Sequence, residues 1–504
     1  MNLKSKLPAL LPYFIGSVFL LFCVLRVLII FSKGTDIAGI EQNVIYSTQV
    51  FMDSAKLYLF PSDAPFSITQ YTPVYYYLCG FTAKILGFNA SDIPSLYIIG
   101  RIWSMIFNLI TAIFIFKIAS NLLKLSKNTS YLLFLMSFVY GFAHNFAVRP
   151  DSLQDMMGIA SIYCFMCYYK KRDSGSNSFL LLALTVALSA ISFFAKQSGL
   201  QFIIIFLGFS ILNKDWRTFL KLSLVSILIY GALMLLFRIM YPSFLHNIFG
   251  GVANGINIDN YIKFILTRNI FILTVWPLIL VTLYIFIKNN TIFKGNATER
   301  LLSLAALGSL IFAAVTALKM GSTVQYFIIF INLSLLIIAK NFEGKKINTL
   351  FQTYLILVVF VYAAHNVKII RNFDHNPYLE KQRAAARKVV EYIRNNRVEH
   401  SGRSLFANLS TDSTLPSRQQ INNEFFDICI IPQMDILEYS TGPLKIIDYK
   451  RIENMMQSGE IEFIIESLPK SKFSIIDKLE TIKNTNFKPV KEIDGYVIYK
   501  FNVQ

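Results

Sequence analysis

Apolar runs of about twenty residues recur along most of this chain, and a helix of that length is what crosses the hydrocarbon core of a bilayer. Of its 504 residues, 54% are hydrophobic and 15% are charged. This pattern predicts an all-α polytopic membrane bundle with about eleven transmembrane helices. The first run is too long for a cleaved signal and lacks its small-residue cleavage site, so we expect a retained helix. The predicted spans are 10–31, 95–117, 129–147, 153–169, 179–196, 199–213, 219–240, 269–288, 300–319, 323–340 and 347–366.

Basic residues concentrate in short connections between these runs, and the formal net charge is +18. Basic clusters of this kind orient a protein in a lipid bilayer, so we expect membrane lipids and no nucleic acid as partners. The clusters alternate with less basic loops, so the positive-inside rule places them and the N-terminus in the cytoplasm. An odd number of spans then places the C-terminus outside. The clusters contain Lys4 and Lys6; Lys124 and Lys127; Lys170 to Arg172; Lys214, Arg217 and Lys221; Lys288, Lys294 and Arg300; and Lys340, Lys345 and Lys346.

The loop 32–94, which this topology places outside, carries two carboxylates close to the end of the first span, Asp36 and Glu41. An enzyme that attacks a lipid-linked substrate needs a base or a metal ligand at this depth. The alternative is that Asp36 caps a helix. The segments 37–52 and 73–88 mix apolar and polar residues and are predicted to be helices lying on the membrane surface.

After about residue 367 the composition becomes charged and polar. Short segments there alternate between helical and strand patterns, and the β-branched and aromatic run Tyr496–Phe501 is the clearest strand. We therefore divide the chain into a transmembrane domain, 1–366, and a small extracytoplasmic α/β domain, 367–504. The second domain is large enough to hold its own core.

Arg149 and Asp151 occur where the third predicted span emerges on the outer side. Both side chains must face water or a cavity, because a charge that points into lipid is costly. The guanidinium of Arg149 offers five donors in a planar fork, which suits a phosphate or a pyrophosphate. Asp151 is either part of the same site or an N-cap for the following helix.

Lys196 and Gln197 lie in the tight outer turn 195–199. Lys196 either extends to the lipid headgroups or adds a second cation to an anion site with Arg149. Arg268, in the next outer loop, is a weaker candidate of the same kind. The cysteines are scattered, so neither a metal cluster nor a disulfide framework is predicted.

Five motifs, in this order and on one predicted side, resemble the GT-C superfamily of polytopic glycosyltransferases. The resemblance is strongest to the branch that contains protein O-mannosyltransferases and the bacterial transferase that moves aminoarabinose onto lipid A. It covers roughly the first 215 residues. The motifs are Asp36 in the first outer loop, the aromatic segment Tyr71-Thr-Pro-Val-Tyr-Tyr-Tyr77, the pair Gly100-Arg101, Asp151 after the third span and the turn Lys196–Gly199.

The resemblance implies an inverting transfer of one sugar from a polyprenyl-phosphate donor to a glycan, lipid or protein acceptor at the outer membrane face. Many relatives carry adjacent acids in the first loop, whereas here Ile37 follows Asp36. It is therefore open whether Asp36 or Glu41 is the base and whether a divalent cation is used. A bacterial inner membrane is the implied location. The implied roles are catalytic for Asp36, Glu41 and Asp151, donor-phosphate binding for Arg149, Lys196 and Arg268, and substrate positioning for Tyr71, Tyr75, Tyr76 and Gln197.

Two other classes of function fit an apolar bundle. A transporter or flippase of a lipid-linked glycan would place ionisable residues at mid-membrane, whereas the candidates here cluster at the outer ends of spans. A bundle that merely anchors the domain 367–504 would not need polar outer loops. We therefore favour the glycosyltransferase hypothesis.

Overall fold

The structure is a computed structural model of a helical bundle with a small α/β domain. It describes residues 3–32, 41–173, 178–253, 255–319, 322, 324–374, 378–397, 403–406, 426–427, 429–430, 449–467 and 476–502. The α-helices up to residue 374 are α1 (Leu3–Ile30), α2 (Glu41–Ser54), α3 (Val74–Ile85), α4 (Ile93–Lys117), α5 (Lys127–His144), α6 (Asp151–Asp173), α7 (Phe179–Ala195), α8 (Leu200–Leu212), α9 (Trp216–Met240), α10 (Phe244–Gly250), α11 (Ile258–Tyr261), α12 (Asn269–Thr274), α13 (Trp276–Asn289), α14 (Ala297–Thr316), α15 (Ile328–Phe342) and α16 (Ile347–Asp374).

Helices lie in most of each of the eleven predicted spans, but within the described residues seven helical stretches are long and apolar enough to cross a membrane. The other four predicted spans fall on α5, α6, α7 and α8. Helices α7 and α8 have 17 and 13 residues, and α6 carries polar residues that the bundle buries. The number eleven therefore stays a prediction. The seven stretches are Leu11–Ile30, Ile93–Leu122, Trp216–Met240, Asn269–Asn289, Ala297–Thr316, Val324–Phe342 and Ile347–Lys368.

The connections between the helices meet in two groups, one at each end of the bundle. In the group predicted to be cytoplasmic, the Lys340 ammonium donates to the carbonyl of Leu123 at 3.0 Å. In the group predicted to be outside, the Thr72 hydroxyl donates to the carbonyl of Phe193 at 2.8 Å. Alternation of loops between two sides requires this grouping. Which end faces the cytoplasm stays a prediction from the charge pattern.

Helices α2 and α3 occupy the two amphipathic segments of the first outer loop. Helix α3 has 12 residues, which is about 18 Å of helix and too short to cross a bilayer. Helix α2 differs from the expected surface helix, because 11 of its 14 residues are buried. Its Tyr46 and Val50 pack among residues of the C-terminal α/β domain, which covers the side of α2 that would otherwise face water.

The C-terminal domain contains a five-stranded sheet with the order β2-β1-β3-β5-β4. Strands β1, β2 and β3 are parallel, and β5 runs antiparallel to β3 and β4. Side chains alternate between the two faces of β3: Phe463 and Ile465 pack with α17, and Ile464 packs with α18 and α19. The elements are α17 (Tyr378–Asn396), β1 (Arg403–Phe406), β2 (Cys429–Ile430), α18 (Tyr449–Ser458), β3 (Ile461–Ser467), α19 (Ile476–Asn486), β4 (Phe487–Ile493) and β5 (Tyr496–Phe501).

The first outer loop supplies part of the core of this domain. Phe66 and Ile68 are buried among the residues of α18, α19 and the sheet. Phe66 has a left-handed backbone with φ of 56°, which costs a bulky residue about 1–2 kcal/mol, and the burial of its ring offsets that cost. The guanidinium of Arg451 donates to the carboxylate of Asp63 at 2.7 Å. Helix α16 runs through the predicted boundary at 366 and ends at Asp374.

Candidate functional site

A buried ion-paired group lies at the start of α6 and the end of α7, on the side predicted to be outside. The ammonium of Lys196 lies 2.6 Å from Oδ1 of Asp151, and Nε of Arg149 lies 3.4 Å from Oδ2 of the same carboxylate. The side chain of Gln325 joins the group, because its amide nitrogen donates to Asp151 at 3.2 Å and its oxygen accepts from Arg149 at 2.8 Å. The structure thus brings together three of the residues that the sequence singled out.

Local chain geometry places these groups. Asp151 is the first residue of α6 and directly follows Pro150, which lies in a turn. Lys196 is an extended residue, with φ of −153° and ψ of 138°, between α7 and a short 3-10 turn. At the end of that turn, a Cβ on Gly199 would lie 2.3 Å from the backbone carbon of Ser192. Only glycine allows this close approach, which folds the turn back onto α7.

The group carries more positive than negative charge in a buried place. The side chains of Arg149, Asp151 and Lys196 are 5–6% exposed, and the two cations share one carboxylate. Burial alone would raise the pKa of Asp151, but the ammonium of Lys196 and the guanidinium of Arg149 together hold it below its ordinary value. Asp151 is therefore ionised at neutral pH, and the three side chains Arg149, Asp151 and Lys196, taken by themselves, carry a net charge of about +1.

Aromatic rings surround the ammonium of Lys196. Its nitrogen lies 4.4 Å from the ring centre of Tyr326 and 5.5 Å from that of Tyr71, both within the range of cation–π attraction. Tyr71 thus lies beside Lys196, and its role in positioning the substrate stays a prediction. The hydroxyl of Tyr75 donates to the carbonyl of Gly100 at 3.1 Å, and that of Tyr76 accepts from the backbone of Tyr71 at 3.4 Å. Both of these side chains are buried in packing contacts.

Gln197 forms hydrogen bonds to two segments that are far apart in the sequence. Its amide nitrogen donates to the carbonyl of Gln70 at 2.8 Å and to that of Ile248 at 2.9 Å. Gln70 directly precedes Tyr71, so these bonds fix the segment that presents Tyr71 to Lys196. The position of Gln197 favours a role in holding the wall of the site.

Glu41 is fully buried in a bidentate ion pair with Arg101, with nitrogen–oxygen distances of 3.0 and 3.2 Å. One oxygen of Glu41 also accepts the backbone N–H of Val148 at 2.8 Å. The third guanidinium nitrogen of Arg101, Nη1, reaches the hydroxyl of Ser32 at 3.4 Å. These bonds join the end of α1, the start of α2 and the residue before Arg149, so the geometry favours a positioning role for Glu41.

Asp36 lies outside the described residues. Its segment, 33–40, is bounded by Ser32 and Glu41, and both of these residues contact Arg101. The sequence-based assignment of Asp36 as a base therefore stays a prediction.

Arg268 is not brought into the ion-paired group of Asp151. It is exposed and is the N-cap residue of α12. The predicted role of Arg268 in binding the donor phosphate has no support from this placement.

Sequence reasoning missed three polar residues of this region. Asp155, one turn after Asp151, accepts a hydrogen bond from the amide of Asn145 at 2.5 Å and is buried. A carboxylate inside a predicted span is costly in lipid, and that signal could have identified Asp155. Gln325 and Tyr326 carry no charge and lie 174 residues or more beyond Asp151 along the chain, so no local pattern links them to the site.

A metal site needs several donor side chains close together. Across the described ranges, no three side chains of His, Cys, Asp or Glu come together in a way that could hold a metal ion. The carboxylate of Asp151 is already engaged by Lys196, Arg149 and Gln325. These residues do not fit a divalent cation.

Comparisons with known proteins identify the fold. No protein-family model and no curated protein sequence matches the chain. The crystal structure of ArnT from Cupriavidus metallidurans bound to undecaprenyl phosphate superimposes with a TM-score of 0.56 at 11% identity, over 96% of this chain and 98% of that one. The oligosaccharyltransferase of Archaeoglobus fulgidus in its apo form gives 0.57 at 10% identity, over 92% of this chain and 70% of that one. The chain therefore has the fold of these two GT-C glycosyltransferases, which is the superfamily that its sequence motifs resemble.

Proposed function

We propose that this protein transfers a sugar from a polyprenyl-phosphate donor to an acceptor at the outer membrane face, with inversion at the anomeric carbon. Support comes from the shared fold and from the ligands of two structures with that fold. One ArnT structure holds undecaprenyl phosphate. The archaeal oligosaccharyltransferase has been solved with dolichol phosphate and an inhibitory peptide. Both lipids present a phosphate at the membrane surface.

The observation that carries the proposal is the excess positive charge of the buried group around Asp151. Two cations and one carboxylate are removed from water there, and burying unbalanced charge is costly. An anion with one negative charge would complete the balance. A lipid-linked sugar phosphate is a phosphodiester with one negative charge. It therefore supplies the one negative charge that Arg149, Lys196 and Asp151 lack between them.

The mechanism assigns a role to each residue. Asp36 takes the proton of the acceptor hydroxyl while that oxygen bonds to the anomeric carbon of the sugar. The bond from the anomeric carbon to the phosphate oxygen breaks at the same time, and the phosphate leaves with the electron pair. Negative charge grows on the phosphate in the transition state, where Arg149 and Lys196 stabilise it. Asp151 holds both cations in place, and Tyr71 lies beside Lys196 to position the substrate.

A divalent cation has no step in this mechanism. The archaeal enzyme has also been solved with zinc and sulfate. In the described part of this chain the donor groups do not form such a site, and the cations of Arg149 and Lys196 supply the positive charge that a metal would otherwise bring.

The same proposal sets the location. The basic loops face the cytoplasm of a bacterial inner membrane, and the C-terminal domain lies outside. The donor phosphate then meets Arg149 and Lys196 from the outer leaflet. The acceptor is a glycan, a lipid or a protein that is accessible on that side.

Mass spectrometry of lipid-linked sugars and surface glycans in cells that lack this protein tests the proposal. We expect one polyprenyl-phosphate sugar to accumulate and one glycan residue to disappear, with rescue by the wild type. Asp36→Asn and Lys196→Met should not rescue. Two matched controls should rescue fully: Asp259→Asn, an exposed acid of an outer loop, and Lys221→Met, an exposed lysine near the start of α9, at the end predicted to be cytoplasmic.

Three results would contradict the proposal. Unchanged lipid and glycan pools in cells without the protein would show that a polyprenyl-phosphate sugar is not its substrate. Full rescue by Lys196→Met would remove the phosphate site from the mechanism. Translocation of a lipid-linked glycan in proteoliposomes, without sugar transfer, would favour a flippase.

A further inference from the structure

A polar cavity lies between the first outer loop and the C-terminal domain, lined by none of the charged residues of the ion-paired group of Asp151. Its volume is about 310 Å³, which is at the lower end of the range for small-molecule sites, about 300–1,000 Å³. This size suits one or two sugar units and is small for a folded peptide or a polyprenyl chain. The cavity is lined by Met52, Asp53, Lys84, Phe88, Asn89, Ala90, Ser91 and Phe426.

The lining groups fit an uncharged polar ligand. One carboxylate, Asp53, and one ammonium, Lys84, face the same space, so their charges balance. The carboxylate would repel an anionic ligand, and the ammonium would repel a cationic one. The amide of Asn89 and the hydroxyl of Ser91 add donors and acceptors. A ligand with many hydroxyls uses both kinds of group.

Two aromatic side chains complete the lining. Phe88 belongs to the outer loop and Phe426 to the C-terminal domain, so the two units each contribute one ring to a cleft that is open to solvent. Aromatic faces carry negative charge and attract the weakly positive C–H groups of a sugar ring. Aromatic rings next to hydrogen-bonding groups of both signs are the combination that a saccharide requires.

Hydrogen bonds hold both walls before any ligand arrives. The amide of Gln49 donates to the carbonyl of Ala90 at 2.9 Å, and the backbone N–H of Asn89 donates to the carboxylate of Asp92 at 2.8 Å. On the other wall, Asp427, next to Phe426, pairs with Arg394 of α17 at 3.2 Å. A preformed cavity loses less ordering entropy when a ligand binds.

Helix α2 connects this cavity to the candidate active site. Glu41, at its first residue, accepts the backbone N–H of Val148 beside Arg149. Asp53, near its other end, lines the cavity. Twelve residues of helix place the two ends about 18 Å apart, at about 1.5 Å per residue. A glycan of several sugars spans that distance, and a single sugar does not.

We propose that this cavity binds an uncharged sugar unit of an extended saccharide acceptor, several units away from the sugar that reacts. The proposal rests on the proposed function and deepens it, because it names the class of acceptor. The C-terminal domain then contributes to acceptor recognition through Phe426.

Saturation-transfer NMR on the purified full-length protein in detergent tests this site directly. The probes are the methyl glycosides of glucose, galactose, mannose and N-acetylglucosamine. We expect at least one probe to receive saturation from the wild type. Asp53→Ala and Asn89→Ala should each weaken that signal by roughly fivefold or more, which is the effect of losing one hydrogen bond. Asp259→Ala, an exposed acid away from the cavity lining, is the matched control and should keep the full signal.

The results separate this inference from the proposed function. The site is refuted if no probe receives saturation from the wild type, or if Asp53→Ala and Asn89→Ala behave like Asp259→Ala. Size-exclusion profiles like that of the wild type confirm that the variants fold. Sugar transfer without saccharide binding would overturn the site alone. Saccharide binding without any sugar transfer would overturn the proposed function and leave the site standing.

Discussion

Replacing Glu41 by glutamine tests how much the buried pair with Arg101 contributes to the fold. The two side chains are 0% and 1% exposed, and the shorter nitrogen–oxygen distance is 3.0 Å. Removing one partner of such a pair leaves an uncompensated buried charge, which costs about 3–5 kcal/mol. Glutamine keeps the size of the side chain and an oxygen for the N–H of Val148. The expected loss of unfolding free energy therefore comes from the uncompensated charge of Arg101.

A double variant separates the ion pair from the remaining contacts. In Glu41→Leu with Arg101→Met, both charges are gone and the backbone N–H of Val148 loses its acceptor. An unpaired buried donor costs about 1–3 kcal/mol. The double variant should thus be more stable than Glu41→Gln, although it lacks more hydrogen bonds.

The surface offers a matched control. The ammonium of Lys388 lies 2.9 Å from the carboxylate of Asp494, but these side chains are 60% and 33% exposed. Asp494→Asn should cost less than about 1 kcal/mol, since exposed pairs contribute little. The assay is equilibrium unfolding in mixed detergent micelles. A loss below about 1 kcal/mol for Glu41→Gln, or a double variant less stable than the single one, would refute the reasoning.

Three further predictions follow from the placement of single residues. Lys196→Gln should lower the transfer rate by about 100-fold or more, because it removes charge from the departing phosphate; Arg268→Gln should stay within threefold in the same kinetic assay, and equal losses would contradict the site. Phe66→Ala should cost about 3–5 kcal/mol and expose the C-terminal domain to limited proteolysis, whereas unchanged cleavage would contradict its place in the core. In a cysteine-free background, an impermeant thiol reagent added outside should label Asp259→Cys and not Lys124→Cys; the reverse would invert the topology.

The sequence predicted helices well because apolar runs of about twenty residues are a local signal. It also predicted that Arg149, Asp151 and Lys196 lie on one side, because each follows or precedes a span whose direction the lysines indicate. Their direct contact depends on tertiary packing, which no local sequence pattern reveals. Asp151 and Lys196 are 45 residues apart, and only the packing of α6 against α7 brings carboxylate and ammonium within hydrogen-bonding distance.

The interpretation of Glu41 shows where local reasoning ends. Glu41 and Arg101 were each noted in the sequence, one as a candidate base and the other as part of a motif. They are 60 residues apart, and no spacing rule pairs them. Once paired and buried, the carboxylate of Glu41 has lost the access to substrate that a base requires. The burial of Glu41 therefore argues against Glu41 as the base, and the role of Asp36 stays a prediction.

Helix α2 unites the parts of the molecule that the sequence had to treat separately. Its first residue, Glu41, bonds the segment before Arg149. Its middle residue Tyr46 packs in the core of the C-terminal domain. Asp53, near its end, lines the polar cavity proposed to bind a sugar. A helix on the membrane surface would have one solvated face, whereas α2 is buried on nearly all sides. Any displacement of the C-terminal domain must therefore act on α2, and through Glu41 on the group that we propose holds the donor phosphate.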